Sequence, residues 1–236
     1  MIRINKYIAN CGVTSRRNAD KLIAEGKVKI NGVVTTELGV SINENNDSVM
    51  VDDVLINPVA EYTYIMFNKP KGCVTTVSDD RDRKTVFDYI DIPNVRLYPV
   101  GRLDYDSEGL LLLTNDGNIA FKLTHPSKEV GKKYVVKITG EIKESELAQL
   151  RKGVVIDGVK TAKCKVKLTE FSDDVSRLEL VIFEGKNRQI RKMFDVVNKE
   201  VVFLKRVAVG DLKLGGLGRG AYRNLNDYEV EYLKTL

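Results

Sequence analysis

The apolar residues of the first 57 positions follow two different periods. Four of them at helical spacing predict a first helix that ends near Gly12: Ile4, Tyr7, Ile8 and Cys11. Thr14 or Ser15 can cap a second, basic helix, and short β-like runs on both sides of Asn31-Gly32 predict a hairpin. The segment is therefore expected to combine two short helices with a few small strands.

The periodicity is interrupted at residues 58–61, where Pro58 precedes small residues. Such a break is typical of a linker. We therefore expect a first domain at 1–57, a linker at 58–61 and a second domain at 62–236. The second domain is expected to be rich in strands, with predicted strands at 62–67, 74–77, 110–114, 132–139, 163–168, 177–183 and 201–209.

A polar loop at 101–109 precedes an all-apolar run, Leu110–Leu113. The loop contains one arginine and three carboxylates: Arg102, Asp104, Asp106 and Glu108. Acidic groups at the mouth of a buried strand lose hydration unless partners are supplied, so a loop of this kind is a candidate for chemistry. A capped, solvated turn explains the local pattern equally well.

The carboxylates of this loop also resemble the first half of a calcium loop, with oxygens at alternate positions and Gly109 at the sixth. The twelfth position would be Asn115 instead of a bidentate Glu, and the intervening leucines require a core. The pattern therefore argues against a calcium site. Three separated cysteines and a single histidine, His125, likewise indicate no metal site, disulfide framework or Ser-His triad.

The composition is that of an ordinary folded protein, with 43% hydrophobic and 30% charged residues among 236. No apolar run approaches the ~20 residues that span a bilayer, and the N-terminal residues lack the apolar centre of a secretion signal. A cytoplasmic protein is therefore expected. No Gly-Lys-Ser/Thr phosphate-binding signature is present, so ATP or GTP use is not indicated.

The net charge of +5 is modest, but the charges are unevenly distributed. Residues 1–30 carry seven Lys or Arg against two Asp or Glu, and residues 184–223 carry ten against four. Two separated basic regions predict a polyanion held at two points. Nucleic acid is favoured over a membrane surface because no basic amphipathic helix with a bulky apolar face is evident.

Particular residues suit contact with RNA. Two predicted helices carry basic residues close together: Arg16, Arg17 and Lys21 on the first, Arg188, Arg191 and Lys192 on the second. Tyr134 follows two lysines in a predicted strand, and an aromatic ring beside cations suits base stacking, worth ~1–3 kcal/mol per base. A solvated helix face and a packed strand tyrosine are the simpler explanations of the same residues.

Several segments match known patterns in order and spacing. Ser15-Arg16-Arg17 and Gly26-Lys27-Val28-Lys29-Ile30-Asn31-Gly32 resemble the RNA-binding module of a small-subunit ribosomal protein and of tRNA synthetases. Three further motifs follow: Gly101-Arg102-Leu103-Asp104, Lys132-Lys133-Tyr134 and Gly185-Lys186-Asn187-Arg188-Gln189-Ile190-Arg191-Lys192-Met193. Together these segments, which cover nearly the whole chain, resemble the RsuA-like family of ribosomal RNA pseudouridine synthases. The last motif is most similar to that of the members specific for large-subunit (23S) RNA.

The resemblance implies an activity and a set of site residues. In that family a uridine is rotated out of the RNA, its glycosidic bond is broken, and the uracil is reattached through C5. Asp104 resembles the catalytic aspartate that acts near ribose C1′, Tyr134 the tyrosine that stacks on the uracil, and Arg191 the basic partner of the aspartate. The residues that the resemblance assigns to RNA binding are Arg102, which helps displace the nucleotide, and Lys186, Arg188, Lys192, Ser15, Arg16, Arg17 and Lys21.

The resemblance also implies the fold and the partners. We expect an α+β protein in which a small N-terminal α/β RNA-binding domain precedes a synthase domain with a mixed, mostly antiparallel central sheet flanked by helices. The expected partner is ribosomal RNA, free or in an assembling subunit, and the expected state is a monomer without cofactor or metal. A non-catalytic RNA-binding assembly protein, which would not need Asp104, and a calcium-dependent binding protein are the alternatives.

Overall fold

The computed structural model describes residues 1–125 and 127–236. The described chain divides into two compact units. One comprises Met1–Thr63, Pro93–Leu97 and Asn115–Gly117, and the other comprises Tyr64–Ile92, Tyr98–Thr114 and Asn118–Leu236. The domain limits 1–57 and 62–236, with a linker at 58–61, stay predictions. None of the described helices combines the length and the apolar composition that a membrane crossing requires.

The N-terminal unit contains the two predicted helices and small strands. Its elements are β1 (Ile2–Arg3), α1 (Ile4–Asn10), α2 (Arg16–Ala24), β2 (Val28–Ile30), β3 (Val33–Thr35), β4 (Ser41–Ile42), β5 (Val49–Val51) and β6 (Val54–Ile56). Ser15 caps α2 by accepting a hydrogen bond from the Asn18 amide at 3.2 Å. Strands β3, β2, β5 and β6 form an antiparallel sheet, and β1 pairs with β4. Ile4, Ile8 and Ile23 are fully buried between these elements.

The second unit is built from strands and short helices in alternation. Its strands are β7 (Tyr64–Lys69), β8 (Tyr98–Val100), β9 (Glu108–Thr114), β10 (Lys132–Thr139), β11 (Val155–Ile156), β12 (Val159–Lys160), β13 (Lys165–Ser172), β14 (Val175–Ile182), β15 (Val201–Val209), β16 (Leu212–Lys213) and β17 (Tyr222–Asn224). Its helices are α3 (Gly117–Thr124), α4 (Glu144–Arg151), α5 (Gln189–Asp195) and α6 (Asp227–Thr235), with a 3₁₀ turn at Val86–Tyr89.

A nine-stranded sheet organises the second unit. Seven strands follow the order β13-β14-β10-β15-β9-β7-β17, while β16 pairs with β15 and β8 with β9. All of these pairs are antiparallel except β9 with β15. The expected α+β fold with a mixed, mostly antiparallel sheet is confirmed. Strand β9 is buried at all seven positions, as its apolar run predicts for a strand inside a sheet.

The predicted strand at 74–77 is wrong. Val74 forms only an isolated bridge with Thr85, and the residues after it lie in bends. The hydroxyl of Thr75 donates a hydrogen bond to the carbonyl of Leu103 at 2.7 Å. Side-chain bonding to a neighbouring loop here replaces the backbone ladder that the apolar pattern predicted.

An ion pair fixes the start of α6. Asn226 caps the helix, and Glu229 completes a capping box by accepting from the Asn226 amide at 3.0 Å. The Arg223 guanidinium holds both Glu229 oxygens at 2.7 Å and lowers the pKa of that carboxyl. The contribution to stability is therefore present above the ordinary pKa of 4.5 and is lost as pH falls through the lower pKa of the folded state.

Glu229→Gln is expected to lower the free energy of unfolding by about 1–2 kcal/mol at pH 7, and by much less at pH 3. Urea denaturation at the two pH values measures this difference. Glu231→Gln on the same helix is the matched control, because Glu231 pairs with Lys234 at the surface and its substitution should change stability by less than about 0.5 kcal/mol. Equal losses for the two variants would contradict the assignment.

Candidate active site

The polar loop at 101–107 connects β8 to β9, and a buried lysine holds it by hydrogen bonds to its backbone carbonyls. Lys69 ends β7 and is fully buried. Its amine donates to the carbonyls of Pro70, Asp104 and Ser107 at 3.1, 3.0 and 3.0 Å. Burial lowers the pKa of this amine. No sequence motif had indicated this structural role of Lys69.

The segment after β7 holds the same loop from a second side. The Thr75 hydroxyl, besides donating to Leu103, accepts from the Leu103 amide at 3.3 Å. The Gly72 amide donates to the carbonyl of Tyr105 at 2.9 Å. The backbone on both sides of Asp104 is therefore constrained, which fixes the point from which its side chain extends.

The carboxylate of Asp104 has no hydrogen bond or ion pair within residues 1–125 and 127–236. The other two acids of the loop are engaged. Asp106 pairs with arginines of the 188–191 segment, and the nearly buried Glu108 pairs with Arg219 at 3.2 Å. Asp104 is thus the one loop carboxylate left available to a ligand among the described residues.

A cavity of about 300 Å³ lies in the second unit and has Asp104 in its wall. The predicted site residues that line it are Arg102, Asp104, Tyr134, Lys186, Arg188 and Arg191. These residues come from three separate parts of the chain, so the structure brings together what the motifs had predicted only as separate segments. The volume is that of a small-molecule site and can take a single nucleotide base.

Arg191 contacts a different carboxylate from the one expected. It lies on α5, and its Nη2 is 3.0 Å from Oδ2 of Asp106 and 3.3 Å from the carbonyl of Asp106. Its Nη1 donates to the carbonyl of Val201 at 2.7 Å. The expected pairing of Arg191 with Asp104 is therefore not found, because the loop directs Asp106 toward the start of α5.

Arg188 reinforces this contact from the residue before α5. It adopts a left-handed backbone conformation with φ +50°, and its Nη1 is 3.3 Å from Oδ2 of Asp106. Asp106 therefore joins the loop to α5 through two arginines. Lys192, by contrast, does not line the cavity and pairs with Asp157.

Tyr134 lies on β10 between β14 and β15, opposite Leu180 and Arg206. Its ring lines the cavity, although only 7% of the residue is exposed. Side chains alternate along a strand, so Lys132 shares the inward face with Tyr134, whereas Lys133 lies on the opposite face and pairs with Glu179. An aromatic ring and an amine therefore lie on the same wall of the cavity.

Two of the cationic residues that line the cavity were not singled out as site residues from the sequence, Lys132 and Arg206. Arg206 is 94% buried and donates from Nε to the carbonyl of Leu110 at 2.7 Å. A signal for it was available in the sequence, since Leu204 and Ala208, two positions to either side on the same strand, are apolar and buried. A charged residue between buried apolar residues indicates a buried cation. Such a cation is costly to desolvate and is normally paired with an anion or a ligand.

The remaining predicted residues belong to the N-terminal unit. Ser15 acts as the cap of α2, and Arg16, Arg17 and Lys21 are exposed on that helix. No side-chain bond or ion pair of these three cations is found in the described chain. The same described residues contain no group of three His, Cys, Asp or Glu side chains that could hold a metal.

Lys69→Met is expected to destabilise the protein by about 2–4 kcal/mol, because three backbone carbonyls lose their donor and the relieved cost of burying a charge offsets this loss only in part. Urea denaturation measures the change. Lys71→Met is the matched control: this amine lies 5.4 Å from the centre of the Phe203 ring, and its loss should cost about 1 kcal/mol or less. A Lys69→Met protein as stable as the control would contradict the role given to Lys69.

Comparison with known proteins gives matches over both parts of the chain. The family model for RNA pseudouridylate synthase matches residues 63–195, and the model for the S4 domain matches residues 2–47. The chain is 44% identical over 238 residues to the ribosomal large subunit pseudouridine synthase B of Bacillus subtilis (strain 168), with 100% of this chain and 97% of that protein covered. It is 38% identical over 234 residues to an uncharacterized RNA pseudouridine synthase of Aquifex aeolicus (strain VF5), with 98% and 93% covered.

A solved structure agrees with these matches. The crystal structure of a pseudouridylate synthase aligns with a TM-score of 0.70 at 36% identity, covering 99% of this chain and 100% of that one. The alignment therefore includes both the N-terminal elements and the sheet that carries the cavity. The chain belongs to the RNA pseudouridylate synthase family, and an RNA-binding S4 domain precedes its synthase domain.

Proposed function

We propose that this synthase converts a specific uridine of large-subunit ribosomal RNA to pseudouridine, with Asp104 acting at ribose C1′ of a nucleotide rotated out of the RNA. The observation that carries the proposal is the unpartnered Asp104 carboxylate on a constrained loop, facing a cavity of the size of one base. Support for the RNA comes from the Bacillus subtilis relative, whose name assigns it to the large ribosomal subunit.

The reaction requires one bond to break and one to form. The C1′–N1 bond breaks and its electron pair leaves with the uracil. The C5 carbon then bonds to C1′, the C5 proton is released, and N1 takes up a proton. An ionised Asp104 can attack C1′ directly or remove a ribose proton beside it.

The other cavity residues have supporting roles in this proposal. Tyr134 stacks on the extruded base, whose removal from its helix costs a few kcal/mol. Arg102, Lys186 and Arg188 contact the RNA at the cavity mouth. Arg191 holds the loop through Asp106 instead of pairing with the catalytic carboxylate, and Lys192 contacts RNA at the edge of the site.

The S4 domain is proposed to hold the RNA backbone through Arg16, Arg17 and Lys21. Because these exposed cations have no hydrogen bond or ion pair in the described part of the chain, each can replace counterions on a phosphate. The double variant Arg16→Ala, Arg17→Ala is expected to reduce the slope of log affinity against log salt by about 2, with an unchanged rate at saturating RNA. Filter binding at four salt concentrations measures this slope, and an unchanged slope would contradict the contact.

The substrate is identified by mapping. The purified enzyme is incubated with unmodified 23S RNA and, separately, with 16S RNA, and pseudouridine is located from reverse-transcription stops after carbodiimide treatment. A new stop in 23S RNA alone is expected. A stop in 16S RNA alone would overturn the choice of subunit, and tight binding without any stop, in free RNA or in assembly intermediates, would favour a non-catalytic assembly protein.

A ribosomal RNA substrate would place the enzyme in the cytoplasm. One chain carries both the RNA-binding domain and the cavity, so a second copy is not needed to complete the site. We therefore propose that the enzyme acts as a monomer. Size-exclusion chromatography with light scattering tests this, and a stable dimer at micromolar concentration would contradict it.

A further inference from the structure

Two cations in the cavity have no anionic partner. Lys132 and Arg206 both line it, from the adjacent strands β10 and β15. The Arg206 guanidinium makes one hydrogen bond, from Nε to a backbone carbonyl. The Lys132 amine makes no hydrogen bond or ion pair within residues 1–125 and 127–236. Neither charge is therefore neutralised by the part of the protein that the structure describes.

This arrangement is energetically unfavourable without a ligand. Arg206 is buried and Lys132 is half-buried, and cations removed from water in proteins are normally paired because desolvation is costly. Burial lowers the pKa of the Lys132 amine, and the positive charge of Arg206 lowers it further. Glu184, a nearby acid in the wall, is already bonded to the Ala162 amide and to Gln189. The cavity thus presents positive charge to whatever enters it.

The two cations lie beside the proposed stacking platform. Arg206 is directly opposite Tyr134 in the β10–β15 register, and Lys132 lies two residues before Tyr134 on the same face. A base stacked on the tyrosine ring would have its edge next to both N–H donors. Asp104, the proposed catalytic carboxylate, lines the same cavity, so a base stacked on Tyr134 would share the cavity with that carboxylate.

We propose that Lys132 and Arg206 form the subsite for the departing uracil and stabilise the negative charge that develops on its carbonyl oxygens. The inference rests on the proposed function. When the C1′–N1 bond breaks, its electron pair leaves with the base, and the resulting charge spreads over N1, O2 and O4. Fixed donors aimed at such a charge typically contribute about 10²- to 10³-fold in rate. The negative charge on the base is neutralised when C5 bonds to C1′ and N1 is protonated.

Lys132→Met is the direct test, with Lys133→Met as its matched control. The two lysines are neighbours on one strand, but Lys133 lies on the other face and pairs with Glu179. Single-turnover rates of pseudouridine formation are measured with enzyme in excess over 23S RNA, and RNA affinity is measured by filter binding. Lys132→Met is expected to slow the reaction about 100-fold at saturation with an affinity within about 3-fold of wild type. Lys133→Met should stay within about 2-fold in rate.

Variants that keep the positive charge distinguish a loss of charge stabilisation from a loss of folded structure. Lys132→Arg and Arg206→Lys keep the charge and should each be faster than the corresponding Met variant by about 10-fold. Thermal unfolding of every variant shows whether a slow rate reflects a damaged fold. Lys132 variants should melt no lower than the wild type, because the amine bonds to nothing in the described chain.

The outcomes distinguish this inference from the proposed function. A Lys132→Met enzyme with the rate of wild type, or with the rate of the Lys133→Met control, would overturn the subsite while leaving the synthase assignment intact. Loss of RNA affinity without loss of rate would also overturn it, since it would indicate a phosphate contact. A wild-type enzyme that forms no pseudouridine would remove the proposed function itself.

Discussion

Asp104→Asn is expected to lower the single-turnover rate of pseudouridine formation by at least about 10⁴-fold, because an amide can neither attack C1′ nor accept a ribose proton at a useful rate. The fold should be unaffected. The bonds that hold this position use the carbonyl of Asp104 and leave its carboxylate free, so an asparagine keeps them. The melting temperature and the RNA affinity should therefore remain near those of the wild type.

Asp106→Asn is the control for that experiment. It changes the same atoms two residues away, but Asp106 is paired with Arg188 and Arg191 and is not free to react. Its substitution should loosen the contact between the loop and α5 and slow the reaction by about 10-fold. An active Asp104→Asn enzyme together with an inactive Asp106→Asn enzyme would transfer the catalytic role to Asp106.

Gly109→Ala is expected to destabilise the protein by at least about 3 kcal/mol or to prevent folding. Gly109 lies where β9 runs parallel to β15, with φ +110°, and an added Cβ would be 2.1 Å from the carbonyl oxygen of Arg206 and 2.8 Å from its nitrogen. The obstacle is backbone, so no side-chain rotation can relieve it. Urea denaturation, or the yield of soluble protein if none folds, measures the loss.

Gly215→Ala is the control that measures the cost of a strained backbone conformation without a steric clash of the added Cβ. Gly215 also has a positive φ, +58°, but an added Cβ there would meet nothing within 4 Å. Its substitution should cost about 1–2 kcal/mol. If Gly109→Ala cost no more than this control, the close approach of β9 and β15 would not be needed for stability, and the position of the catalytic loop would require another explanation.

Local patterns predicted the N-terminal unit well because its elements depend on interactions between residues that are close in sequence. The cap of α2 at Ser15 and the turn at Asn31-Gly32 depend on neighbouring residues, and both are present in the structure. The burial of β9 was also predictable, since an apolar run this dense fits only inside a sheet. The motifs identified the family, but Asp104, Tyr134 and Arg191 as a site remain a proposal.

Long-range contacts were not predictable from those patterns. The parallel pair of β9 with β15 joins residues nearly one hundred positions apart, and no local signal specifies it. Burial of Lys69 depends on three carbonyls, two of which belong to a distant loop. Arg191 pairs with Asp106 and not with the expected Asp104 because the loop geometry, which the sequence does not reveal, decides which carboxylate reaches α5.

The most direct test of the account is the release of tritium from RNA labelled with ³H at uracil C5. Pseudouridine formation exchanges the C5–H bond for a C5–C1′ bond, so each turnover must release one labelled hydrogen. With 23S RNA we predict release that reaches one equivalent per RNA for the wild type and none above background for Asp104→Asn. Equal release by the two proteins, or no release by the wild type despite tight RNA binding, would contradict the account.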